Sequence, residues 1–295
     1  MNKGYSKYIR KRKFKRQMIV LGASVVVAAI VLLVAFWGRK NVNNTDRKSQ
    51  MSDTKKDNNK GVIDSEQDVS TEEIMEKPTE EETTEVKNDK IDPAKPMVAL
   101  TFDDGPNSKT TPRILDALKA AGGHATFFMV GYNMEGNEDI IKRVADEGNE
   151  VANHTVSHKR LTKIDQAQME SEIMTTRNKI AQITGQQTVL LRPPYGDANE
   201  AVMNFMTDPV ILWSVDTEDW KSRNSQSVIQ NIQNNVFDGA IVLMHDIYPE
   251  TADAAVEAIT WLKEQGYQLV TVSELGYYRR GGLKTGVKYG SLMPE

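Results

Sequence analysis

The chain has 295 residues, enough for one good-sized domain with additions, and its net charge of −4 conceals a basic N-terminus followed by an acidic stretch. It contains no cysteine. That excludes a disulfide framework and thiolate metal ligands, so any metal has to be held by imidazole and carboxylate.

Residues 1–17 carry eight Lys or Arg and no acid. Residues 18–37, "MIVLGASVVVAAIVLLVAFW", form an uncharged apolar run of 20. At helical rise such a run spans roughly 30 Å, the thickness of a bilayer core. It exceeds the apolar core of about 7–15 residues in a cleaved signal peptide, which is the alternative reading. The run ends in Phe36-Trp37, a pair suited to a membrane interface. Positive charge before the run places the N-terminus in the cytoplasm and the remainder outside. The expectation is a single-pass cell-membrane protein whose bulk faces a cell wall. The basic residues are read as a topology signal, and no nucleic-acid partner is expected.

Residues 38–92 hold no aromatic side chain after the anchor and run into the acidic "STEEIMEKPTEEETTEVKNDK". Such a stretch cannot bury enough apolar surface to offset chain entropy and reads as a disordered tether. As a coil it would span about 40 Å.

From Pro96 the texture changes. Apolar runs occupy 97–102, 124–131, 150–154, 188–193, 209–216, 240–246 and 267–273, and helical patterns fall near 111–121, 138–147, 165–184, 225–236 and 251–265. Strands alternating with helices predict an α/β fold of βαβ units, a (β/α) barrel or near-barrel of about seven parallel strands over 93–280, with 281–295 as a C-terminal tail. In that architecture chemistry gathers where the strands end.

Five of the apolar runs end in polar groups: Asp103-Asp104, His154 with His158 beyond it, Arg192 before Pro194-Tyr195, Asp216 with Asp219-Trp220, and His245-Asp246. Each alone has a plain structural reading as a turn, a cap or an ion pair. Gathered on one barrel face they make a site. His124 begins a strand without acidic neighbours and is given no role. Two imidazoles and a carboxylate form a standard set for a divalent ion with an open position; His154, His158 and one of Asp103 and Asp104 can supply it. Zinc is the default, and another divalent ion such as cobalt accepts the same ligands. The other aspartate can take a proton from the attacking water, His245 can protonate a leaving group, and Arg192 can orient a carboxylate. Trp220 and Leu243 can line a small apolar pocket. The set suits hydrolysis of an amide or ester.

"TFDDGP", "HTVSH", "RPPYG", "DTEDW" and "VLMH" follow one another in the order found in the polysaccharide deacetylases (carbohydrate esterase family 4, the NodB-homology domain). The chain resembles that family over about 93–280. The resemblance implies a distorted (β/α) barrel that removes N-acetyl groups from an amino sugar with a bound metal. It implies Asp103 as general base, Asp104, His154 and His158 as metal ligands, and His245 as general acid. Arg192 would orient the base, with Asp216 as the acidic partner in that network. The backbone N–H of Tyr195 would bind the oxyanion, and Pro194, Trp220 and Leu243 would meet the substrate. With an anchor and tether beside a cell wall, peptidoglycan glycan strands are the expected partner, with N-acetylglucosamine as the favoured sugar and lysozyme resistance as the role. N-acetylmuramic acid, chitooligosaccharide and xylan are the alternatives within the class. A metal-dependent phosphoesterase and a non-catalytic wall-binding module are the alternatives outside it.

Overall fold

The computed structural model describes residues 88 and 90–294. The basic stretch, the apolar run 18–37 and nearly all of the tether lie outside the described residues. Among the described residues no helix is long and apolar enough to cross a membrane.

Strand β1 (Met97–Asp103) is buried along its whole length, as a central parallel strand covered on both faces must be. Its alternate side chains go to different layers. Val98, Leu100 and Phe102 join the layer under the helices, whereas Met97 and Ala99 join a second cluster with Phe128, Ala152, Ile211, Ile241 and Val270. The second cluster is the inner face. Continuing its period of two along β1 brings Thr101 and then Asp103 to the same face at the strand's end.

Beside β1 lie β2 (Thr126–Met129) and then β3 (Glu150–Asn153) on one side, and β6 (Ala240–His245) and then β5 (Val215–Asp216) on the other, all parallel. The short β7 (Gln268–Leu269) adds to the start of β1. A separate parallel pair joins β4 (Val210–Ile211) to β8 (Lys288–Tyr289). Single bridges from Asn153 to Leu191 and from Leu191 to Val210 complete the circuit, because β4 continues into β5. The result is a barrel closed by isolated bridges rather than full ladders.

The five expected helices are present as α1 (Thr111–Ala121), α2 (Glu138–Asp146), α3 (Gln166–Thr184), α6 (Ser225–Asn235) and α7 (Pro249–Glu264). Three more, α4 (Glu200–Phe205), α5 (Asp219–Ser222) and α8 (Val272–Arg280), occupy stretches read as connection or strand.

The strand expectations fail in three places, each for a local reason. The run 188–193 contributes only the bridge at Leu191, because Pro193 and Pro194 have no N–H to extend a ladder. The run 209–216 breaks in two: the Ile211 and Leu212 carbonyls turn to the Arg192 guanidinium, at 3.1 and 3.0 Å. The run 267–273 stops at Leu269 because Thr271 and Glu274 form a reciprocal capping box that starts α8.

Residues 281–295, expected as a tail, contain β8, and Leu292 is fully buried with its N–H on the Gly239 carbonyl at 2.8 Å. At the other boundary, placed at 93 by the sequence, Asn88 already donates to Tyr278 Oη and to Glu274 Oε1, at 3.1 and 2.9 Å. His124 lies near that end as well, its Nδ1 3.2 Å from Glu274 Oε1.

Candidate active site

The inner-face ends of β1, β3 and β6 and the turn after Leu191 converge on a cavity of about 410 Å3. Asp103, Asp104, His154, His158, Tyr195, Asp216, Trp220, Leu243 and His245 all line it, joined by Trp213 and Tyr248. Pro194 does not. It is buried and sets the first position of the turn Pro194–Gly196, in which Tyr195 takes the left-handed φ of 66°.

Asp103 is 3% exposed at the end of β1. Its Oδ1 accepts from Arg192 Nη1 at 2.7 Å. Arg192 is wholly buried, also donates to Thr101 Oγ1 at 2.8 Å, and lies over the Phe128 ring at 4.1 Å. Burial alone would raise the Asp103 carboxyl, but the charges of Arg192, His154 and His245 outweigh it and hold the group below the usual aspartate range. With Oδ1 engaged by Arg192, Oδ2 is the oxygen that faces His154 Nε2, 3.6 Å away.

Asp104, His154 and His158 each offer one ligand atom, and the three atoms lie within 4.8 Å of one another. Asp104 Oδ1 is 3.6 Å from His154 Nε2 and 3.3 Å from His158 Nε2. Ligands at 2.0–2.2 Å from a tetrahedral ion sit about 3.3–3.6 Å apart, so these separations fit one. Asp104 Oδ1 is buried without a hydrogen-bond partner, a costly arrangement for a carboxylate that a cation would relieve. His154 directs Nδ1 to the Arg192 carbonyl at 2.7 Å, which fixes the ring with Nε2 toward the set. Burial, and then the charge of His154, lower the His158 pKa and favour its neutral, ligating form. Asp104, Thr155 and His158 all take positive φ, at 71°, 64° and 56°. For residues other than glycine such angles persist where the surroundings over-determine them.

Across the cavity, His245 Nδ1 lies 2.8 Å from Asp219 Oδ1, which leaves Nε2 as the free ring nitrogen. Asp219 is 1% exposed and its Oδ2 accepts from the His245 N–H at 2.7 Å and from Thr251 Oγ1 at 2.8 Å. Burial opposes the imidazolium, yet the hydrogen bond and charge of Asp219, with Asp103 and Asp104 behind it, raise His245 to about 9.

Asp216, expected as the acidic partner of Arg192, is corrected by this geometry. Its carboxylate accepts from the Glu218 N–H at 2.9 Å and borders the cavity, and among the described residues the carboxylate paired with the Arg192 guanidinium is Asp103. The buried carboxylate that supports a titrating group is Asp219, three residues on. Both lie in "DTEDW", and spacing alone does not tell them apart. Trp220 at 51% exposed and Leu243 at 3% line the cavity, whereas Asp219, next to that tryptophan, is 1% exposed, and this burial is what separates it from Asp216. Trp213 and Tyr248 have no role in the sequence reading, and the structure adds both to the cavity lining.

Residues 90–208 match the family model described as polysaccharide deacetylase. Over 200 residues the chain is 45% identical to the peptidoglycan-N-acetylmuramic acid deacetylase PdaC of Bacillus subtilis, covering 68% of this chain and 43% of that protein. Over 178 residues it is 44% identical to the peptidoglycan-N-acetylglucosamine deacetylase PgdA of Listeria monocytogenes, covering 60% and 38%. The chain thus spans about two fifths of the length of these two relatives. The solved structure of the peptidoglycan deacetylase PdaC from Bacillus subtilis superposes with a TM-score of 0.63 at 46% identity, covering 64% of this chain and 93% of that one.

Proposed function

Because the chain belongs to the polysaccharide deacetylase family, we propose that it is a metal-dependent hydrolase that removes N-acetyl groups from the amino sugars of peptidoglycan and releases acetate. The observation that carries this reading is the division of labour between adjacent aspartates. Arg192 holds Asp103 charged with Oδ2 free, while the neighbouring Asp104 turns an unpartnered oxygen to two imidazole nitrogens.

A divalent ion held by Asp104, His154 and His158, with zinc or cobalt suiting the donors, would supply Lewis-acid polarisation of the acetyl carbonyl and the attacking water. The other roles fall to the chain. Asp103 takes the proton from the water as its oxygen bonds to the carbonyl carbon, and Arg192 keeps the carboxylate ionised and oriented. The Tyr195 backbone N–H faces the developing oxyanion. His245 gives its proton to the amide nitrogen, the C–N bond breaks, and amine and acetate depart. Leu243 and Trp220 close around the acetyl methyl.

Peptidoglycan is supported by the names of the relatives, which cover both of its amino sugars, and by the apolar run and tether of the sequence. The same run supports placement in the cell membrane with the catalytic domain facing the wall. A glycan carrying free amines resists lysozyme-type hydrolases, so lysis of cells with and without the gene would test the cellular role.

The direct test incubates the purified full chain with peptidoglycan, with and without a chelator, and measures acetate. Muramidase fragments are then weighed to locate the new amine. Release that the chelator stops and zinc or cobalt restores is the expected result, and the mass shift identifies the sugar. Release from chitooligosaccharide or xylan alone would overturn the substrate. No acetate from any glycan would bring forward a wall-binding role.

A further inference from the structure

We infer that Glu172, on α3 and outside the cavity, is a positioning residue that sets His158 for metal binding. The inference rests on the metal reading above and adds to it a group that reaches the site only through the backbone.

His158 lies five residues beyond β3 along the chain, whereas Asp104 and His154 directly follow β1 and β3. His154 is anchored by its N–H on the Met129 carbonyl and by its ring on the Arg192 carbonyl, at 3.0 and 2.7 Å. Among the described residues His158 has no such carbonyl partner on its ring; the rings of Tyr195 and His154 meet it, at 4.8 and 4.9 Å between centroids. A metal ligand without a partner on its second nitrogen has to be aimed by its main chain.

That main chain is held from two sides. Gly131 and Tyr132 donate backbone N–H groups to the Thr155 and Val156 carbonyls at 3.0 and 2.9 Å, which fixes the near half of the loop. The far half belongs to Glu172. One carboxylate oxygen accepts from the Ser157 N–H at 2.8 Å, and the other accepts from Ser157 Oγ and meets Lys159 Nζ at 3.0 Å. A single side chain therefore grips the residue before His158 and the residue after it. Glu172 is only 3% exposed, so its charge is desolvated and committed to this loop. A carboxylate is almost never buried without such a set of partners. Between the two gripped residues His158 holds its left-handed φ of 56°, a conformation a non-glycine residue keeps only under constraint.

The test measures metal affinity and coordination, not turnover. The full chain, as wild type, Glu172→Gln, Ser157→Ala and Ile173→Ala, is stripped of metal and titrated with Co2+ and Zn2+ against a chromophoric chelator, and the visible bands of the Co2+ form are recorded. Ile173 neighbours Glu172 on the same helix and is buried in core, so its variant reports plain destabilisation. Glu172→Gln is expected to bind about 10–100-fold more weakly, with altered Co2+ bands. Ser157→Ala, which loses one of the two donors, is expected to fall between it and wild type. Ile173→Ala is expected to melt earlier while binding metal as wild type does. Wild-type affinity and spectrum in Glu172→Gln would overturn the inference and leave the metal reading standing. Equal weakening by Ile173→Ala would also overturn it, as a general loss of stability. If Glu172→Gln does not fold, unchanged affinity in Ser157→Ala overturns it. A wild-type chain that binds neither ion would overturn the metal reading and this inference together.

Discussion

Asp103 and His245 are register partners: residue 103 of β1 lies opposite residue 245 of β6, as Thr101 lies opposite Leu243 two positions earlier. Partners in a parallel ladder project to the same face from strands about 4.8 Å apart. The proposed base and acid are therefore spaced by the sheet itself and not by a loop. Asp103→Asn keeps the shape and one acceptor for Arg192 but cannot take a proton. It should lower kcat about 100- to 10,000-fold, the range of general acid–base catalysis, while metal content stays at the wild-type level. Acetate release and bound metal measured on the same samples check this. Near-wild-type turnover would remove Asp103 from the base role.

The pairing of His245 with Asp219 makes a prediction about pH. The acid has to be protonated, so activity falls as pH rises through the His245 pKa. Burial pushes that value down and Asp219 more than reverses it, to about 9. Removing the charge in Asp219→Asn lowers the pKa, and the alkaline limb of the kcat profile should move to lower pH. A bound divalent ion would lower the value in both proteins and preserve the difference. The same linkage gives a stability term present below the unfolded histidine value of about 6.5 and lost as pH rises toward 9. Asp216→Asn is the control, and its limb should not move. A shift in the control without one in Asp219→Asn would make Asp216, and not Asp219, the carboxylate that sets His245.

That exchange marks where the sequence stops being legible. The five ordered motifs located the cavity, because strand ends in a parallel barrel share one face whatever their ladders do. Five helices were visible because each has several turns of apolar period. The short α5 was not visible, since four residues carry too little period to read. Asp216 and Asp219 are chemically the same, and only burial separates them. The split of 209–216 depends on a guanidinium arriving from the segment after Leu191, which no local pattern announces. Glu172 was invisible for a similar reason: it sits in a polar helical run, and its partners belong to the histidine loop.

Arg192 carries a prediction about stability. Its guanidinium is fully buried and bonds Asp103, Thr101 and the carbonyls of Ile211 and Leu212. Arg192→Met fits the volume but leaves Asp103 buried without a cation, a change that costs about 3–5 kcal/mol. Burial then dominates the Asp103 carboxyl and its pKa rises. The double variant with Asp103→Asn should regain part of the loss, because the stranded charge is gone. Urea denaturation of the two singles and the double measures the coupling. A loss below about 1 kcal/mol in Arg192→Met would mean that water reaches Asp103 and that the guanidinium does not shield it.

The last strand supplies the prediction furthest from the chemistry. Val210 and Leu212 donate to the carbonyls of Val287 and Tyr289 at 2.9 and 2.7 Å, so the end of the chain completes the ladder beside the segment that holds Arg192. Leu292 then inserts among Met97, Ala99, Ile241 and Val270 on the inner face. Leu292→Ala opens a cavity at a fully buried position and should cost about 2–5 kcal/mol. Its neighbour Met293 is 51% exposed, and Met293→Ala should stay within about 0.5 kcal/mol of wild type. Thermal melts of the pair test the packing directly. Two equal, small effects would mean that residues beyond 281 behave as the free tail the sequence predicts. A large effect at 292 alone would show that the barrel face carrying Arg192 depends on the last residues of the chain.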